Sequence, residues 1–180
     1  MKQYAIPEYI TASDIKRVRG KLGLTQAEFS KLVGVSKPTI ERYEITKDKI
    51  YGMIVLIVKM IEDNMNYIEE LEYPKKEYPI RLFYMYKQYI CTIIDVNIIK
   101  QEVKIKNFTN NILFRAFGVN EKPTFLEYND FLKSRCFPET RDKIKLVLQD
   151  LDIPFYDPFL IIKKTEGRMA EDDFWIKIEE

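Results

Sequence analysis

In the first seventy residues, apolar positions recur at spacings of three and four, the period of a helix that buries one face. Ile15, Val18 and Leu22 form the first such stripe. It is opened by Thr11-Ala12-Ser13-Asp14, where Thr11 or Ser13 caps the orphan N–H groups and Asp14 suits the positive helix end, and it is stopped by Gly23. A second helix starts at Thr25, with Glu28 three residues later completing a capping box. Gly34 then marks a sharp turn, Ser36 caps a third helix, and Pro38 falls in its first turn, where a missing N–H does no harm. Across this pair Ala27, Ser30, Leu32, Val33, Val35, Ile40 and Tyr43 are expected to face inward, and Gln26, Lys37, Thr39 and Arg42 outward. A fourth helix carries Ile50, Met53, Ile54, Ile57 and Ile61 on one stripe, widened by Val55, Leu56 and Val58. Such a stripe is broader than one surface helix needs, so it is expected to cover the helical core and also a partner chain or the C-terminal part. Residues 1–10 read as an extended lead-in, and 64–71 as a short acidic helix.

The texture changes after Tyr73-Pro74-Lys75-Lys76-Glu77-Tyr78-Pro79, where two prolines and three charges predict a linker. Beyond it, 80–86 and 89–94 are rich in aromatic and β-branched residues, and 102–106 alternate apolar and charged, so antiparallel strands are expected. Phe125, Tyr128, Phe131 and Leu132 follow at helical spacing after Thr124. Pro138 is expected to open another helix over Glu139 to Leu148, and Phe159–Lys164 and Asp173–Ile178 to form two closing strands. The predicted class is α+β: a helical bundle at 1–72, a linker at 73–79 and a small α+β domain with an antiparallel sheet at 80–180.

A composition of 46 % hydrophobic and 32 % charged residues belongs to a folded chain rather than a disordered one. The net charge of +1 hides an asymmetry. Residues 1–50 carry net +4 and residues 51–72 net −4, so the excess of cations sits with the capped helices. Residues 73–106 are again net +4. Histidine is absent, which removes Ser-His-Asp and Cys-His catalysis and His-based zinc hydrolysis. Cys91 and Cys136 lack metal-ligand spacing and are expected to be buried, reduced thiols. Met1–Glu8 holds no apolar leader, and the most apolar run, 50–61, is too short to span a bilayer, so a cytoplasmic location without membrane contact is expected.

The capped pair around Gly34 has the form of a helix-turn-helix, whose second helix enters the DNA major groove. Residues 11–72 resemble the Cro/phage-repressor (Xre-type) family in turn, caps and core positions. The resemblance implies that Gln26 contacts phosphate and base, that Ser36, Lys37, Pro38 and Arg42 read base edges, and that Thr39 holds phosphate. The chemistry agrees. Arg42 can fork onto guanine O6 and N7, Lys37 can reach a base edge or phosphate, and Ser36 and Thr39 beside helix-end N–H groups suit a phosphate oxygen. Two positions depart from the family. Pro38 stands where many relatives carry a polar reader, and Ser30 replaces the commoner alanine at the helix crossing. The run Thr46–Gly52 ahead of an aliphatic helix also resembles the antitoxin subgroup of the family.

The C-terminal end is similar to a module of Firmicute mobile-element proteins associated with HipA-type kinase-like proteins. The carried pattern is Arg135-x-x-Pro138-x-x-Arg141, an Ile-rich strand, a Gly, and Asp172-x-x-Trp175, with no kinase motif. The resemblance implies an accessory or recognition role rather than phosphoryl transfer. Asp157, Glu166, Glu171, Asp172 and Asp173 are oxygen ligands on paper, but a solvated face is the simpler expectation, as are pairs between Arg135, Arg141 or Arg168 and Asp157, Asp172 or Asp173. The expected function is a transcriptional regulator, most simply a repressor, that binds double-stranded operator DNA as a homodimer without cofactor, metal or enzymatic activity. The alternative is an antitoxin or phage anti-defence protein whose residues 80–180 bind a partner protein while the helix-turn-helix autoregulates its operon.

Overall fold

The computed structural model describes residues 3–179 and divides into two compact units, Met1–Glu72 and Tyr73–Glu180. The first is all helical: α1 Ala12–Lys21, α2 Gln26–Val33, α3 Lys37–Ile45, α4 Met53–Asp63 and α5 Met65–Glu70. Thr11 caps α1 and Thr25 caps α2 through capping boxes completed by Asp14 and Glu28. An antiparallel bridge between Ile10 and Ile50 ties the lead-in to the segment before α4. Ile15, Val18, Phe29, Val33, Ile40, Ile54, Val55, Val58 and Ile61 form the buried core. Ser30 is buried as expected, its hydroxyl donating to the Ala27 carbonyl at 2.8 Å. Leu32, expected inward, is exposed. The buried stripe of α2 runs through Phe29, Ser30 and Val33, and Leu32 lies about a quarter-turn off its centre at 100° per residue. Met53 and Met60 on α4 are also exposed, while Ile54, Val55, Val58 and Ile61 supply its buried face. An ion pair from Arg17 on α1 to Glu62 holds α4 at its charged edge.

The second unit is α+β. Strands β1 Ile80–Tyr86, β2 Tyr89–Asn97, β3 Glu102–Asn107 and β4 Phe174–Glu179 make one antiparallel sheet in the order β3-β2-β1-β4. Helices α6 Phe125–Ser134, α7 Ile144–Asp150 and α8 Pro158–Thr165 lie between β3 and β4 in the chain. Leu82, Tyr84, Ile94, Val96 and Ile176 form one core with Tyr128, Phe131, Leu132, Leu148, Ile161 and Ile162 of the helices. The opposite sheet face buries Phe83, Met85 and Ile93 under Phe108, Trp175 and Ile90. Tyr73, from the segment read as a linker, belongs to this unit, its ring 5.9 Å from that of Phe83 and 5.8 Å from that of Phe108.

Two expectations are corrected. Phe159–Lys164 is not a strand but lies within α8. Asp157 accepts from the Leu160 N–H at 2.9 Å and Pro158 fills the first turn, a start signal that outweighs the β-branched Ile161-Ile162 pair. The helix expected over Glu139–Leu148 begins only at Ile144. Turns occupy 139–142, and Lys143 sits in the left-handed region at φ 56°, so the helix starts after it. No helix among the described residues is long and apolar enough to cross a membrane.

On the sheet face under Tyr73, Arg81 and Asp95 stand opposite each other in register and are both buried. Their bidentate contact runs Nε–Oδ1 at 2.6 Å and Nη2–Oδ2 at 2.7 Å. Removing one partner leaves an uncompensated buried charge. Asp95→Ala is therefore expected to destabilise the second unit by roughly 3–5 kcal/mol, read from urea unfolding by the fluorescence of Trp175, the chain's one tryptophan.

Candidate nucleic-acid interface

The turn that presents α3 is closed by backbone geometry. Gly34 adopts φ 72° at the end of α2, a left-handed conformation cheap only for glycine, and the Val35 N–H reaches back to the Ser30 carbonyl at 3.0 Å. Ser36 then caps α3. Its hydroxyl accepts from the Thr39 N–H at 3.3 Å and lies 2.8 Å from the Thr39 hydroxyl. Ile40 is buried in the bundle core, and Tyr43, half-buried, packs against it. The opposite face of α3 presents Lys37, Pro38 and Arg42 to solvent, with Thr39 half-buried at its edge. Arg42 makes no ion pair among the described residues, and its guanidinium sits 5.7 Å from the Tyr43 ring. Its fork of donors is free for an external acceptor.

The expected outward set holds for Lys37 and Arg42, with two qualifications from the structure. Lys37 Nζ lies 3.3 Å from Glu41 Oε1 one turn on, so a phosphate or base must compete with an exposed carboxylate. Gln26 does not point simply outward. It is half-buried, and its amide donates to Glu44 at 2.8 Å. Glu44 is a structural residue that sequence reasoning missed. Only 4 % exposed, it accepts from Arg19 Nε at 2.6 Å and Nη2 at 3.1 Å, while Arg19 also donates to the Leu24 carbonyl at 2.9 Å. One carboxylate thus joins α1, the start of α2 and the end of α3. The signal available in the sequence was a Glu in phase with Ile40 on the inner face of α3.

The C-terminal candidates come together differently. Arg135 is buried and pairs bidentately with Asp172 at 2.6 and 3.0 Å, and it donates to the carbonyls of Gly167 and Phe174. Gly167 adopts φ 58°, and a Cβ there would stand 3.3 Å from the Arg135 Cβ. The Arg, Gly and Asp of the module-like pattern therefore form a structural clamp. The other expected pairs do not form among the described residues: Arg168 meets Glu166, Asp173 meets Lys87, and Asp157 caps α8. Arg141 lies over the Phe137 ring. Both cysteines are buried and reduced, and burial pushes the Cys136 thiol up to about 12, which leaves it a poor nucleophile. Among the described residues no three Asp, Glu, His or Cys side chains gather as a metal site.

Residues 15–45, from the second turn of α1 to the end of α3, match a family model described as helix-turn-helix. That segment is the part of the chain that carries the caps, the Gly34 turn and the exposed face of α3. No curated protein and no solved structure matches the chain.

Burial alone would raise the Glu44 carboxyl, but hydrogen bonds from Arg19 and Gln26 outweigh it and hold it below the ordinary glutamate range. A depressed folded-state value means the stabilisation is complete above the unfolded value and is lost as pH falls through the folded one. Asp14, Glu28 and Glu62 in the same unit are lowered too and act in the same direction. Glu44→Gln is expected to lower the melting temperature at pH 7 and to flatten its fall on acidification, measured by circular dichroism.

Proposed function

We propose that the protein is a DNA-binding transcriptional regulator that acts as a repressor in the cytoplasm and autoregulates its own promoter. The observation that carries this reading is the match of residues 15–45 to the helix-turn-helix family, on a segment whose α3 exposes Lys37, Pro38 and Arg42 from one face. In this reading α3 lies in the major groove. Arg42 donates to guanine O6 and N7, and Lys37 leaves Glu41 for a base edge or phosphate. Pro38 contacts a thymine methyl or reads groove shape. Ser36 and Thr39, at the α3 N-terminus, take a phosphate oxygen. Gln26, held by Glu44 through its NH2, offers its carbonyl oxygen toward a base and its remaining N–H toward a phosphate. The net +4 of residues 1–50 supplies the long-range attraction to the duplex.

One such module makes few base contacts, so two copies on a palindromic site, with half-sites about one helical turn apart, give the affinity an operator needs. The homodimer reading rests on this geometry. Footprinting of the tagged protein across the genome locates the operator, and occupancy of its own promoter is the expected result. On that operator Arg42→Ala is expected to cost about 1–3 kcal/mol, about 5- to 150-fold in Kd, and to relax one base position. Binding to random duplex should change far less. An equal loss on both DNAs, in fluorescence anisotropy at fixed salt, would remove the base-reading role.

A further inference from the structure

A pocket of about 350 Å³ opens beside α6 and α8 of the second unit, within the size range of small-molecule sites. Phe125 and Phe159 give it aromatic walls, and Tyr128, Asn129, Lys133 and Asp157 are the polar groups in its lining. Tyr128 is 2 % exposed, and its hydroxyl is the one buried side-chain polar atom without a hydrogen-bond partner among the described residues. A buried hydroxyl left unpaired is uncommon in folded proteins.

The neighbouring groups are also unspent. Among the described residues the Asn129 carboxamide and the Lys133 ammonium have no partner, and Asp157 uses one oxygen to cap α8 while the other is open. Lys133 and Asp157 line the same pocket with opposite charges yet form no ion pair with each other. Burial first, and the charge of Asp157 second, push the Tyr128 phenol upward. A purely anionic ligand would meet Asp157, and a purely cationic one Lys133. A molecule carrying both charges satisfies both.

We propose that this pocket binds a small zwitterion with an apolar side chain, of which a free aromatic amino acid is the simplest case. Its carboxylate accepts from Lys133 and Asn129, its ammonium donates to the open Asp157 oxygen, and its ring lies between Phe125 and Phe159. The site belongs wholly to the second unit and is independent of the DNA-binding reading.

The test is calorimetric titration of the full-length chain with L-phenylalanine, phenethylamine and 3-phenylpropanoate. The amine lacks the carboxylate and the acid lacks the ammonium. Saturable one-to-one binding of L-phenylalanine, with each single-charge analogue about ten-fold weaker or more, is the expected result. Lys133→Glu and Asp157→Asn should each weaken L-phenylalanine by about ten-fold or more. Lys133 is exposed and asparagine caps a helix as well as aspartate does, so both variants keep the fold, checked by circular dichroism. Three results would overturn the proposal: no saturation up to about 10 mM, an analogue that binds as tightly as L-phenylalanine, or binding indifferent to Lys133→Glu and Asp157→Asn.

Discussion

A carboxylate taken out of water must have its oxygens hydrogen-bonded, and Glu44 meets that demand only by drawing on three helices at once. Arg19 comes from α1 and Gln26 from the first turn of α2, while Glu44 itself belongs to the last turn of α3. The apolar core sets how closely these helices pack, but apolar contacts are non-directional and tolerate sliding. The bidentate arginine contact has a fixed planar geometry. It therefore fixes the rotation of α3 about its axis, and with it the direction in which Lys37, Pro38 and Arg42 face. Gln26 stands in both sets, as a ligand of Glu44 and as a residue of the proposed DNA surface. Its orientation is set before any DNA arrives, which lowers the ordering cost of contact.

The second unit uses the same device with the sign reversed. Arg135, at the end of α6, is buried and satisfied by Asp172, by the Gly167 carbonyl and by the Phe174 carbonyl. This joins the α6 terminus to the loop after α8 and to the first residue of β4. Gly167 has two reasons to be glycine: its left-handed backbone and the approach of the Arg135 side chain. On the other face of the sheet, Arg81 and Asp95 form a third pair, here with both partners buried, directly across two strands. The chain uses its buried charges to fix orientation between elements.

The helices of the first unit were legible because their signals are local. Thr25 with Glu28, Ser36 with Thr39, and the Gly34 turn act within three or four residues, and the structure repeats them. The strands 80–86 and 102–106 were legible from β-branched and alternating residues, since a sheet with two covered faces favours those side chains. The tail misled where two local signals conflict. Ile161-Ile162 argues for a strand, while Asp157-Pro158 argues for a helix start, and composition hid the second. Lys143 gave no warning at all, because a left-handed lysine is held by its surroundings and has no sequence signature.

The sequence by itself determined the capped helices, the turn between α2 and α3, and the identity of the side chains that α3 exposes. Each follows from interactions within one helical turn. The tertiary structure decided that Gln26 answers to Glu44 and that Arg135 closes on Asp172. It also decided that the Tyr128 hydroxyl is left without a partner. Those outcomes depend on residues 18, 37 or more positions apart, or on the space between two helices, and a pattern of period three to four holds no information about either.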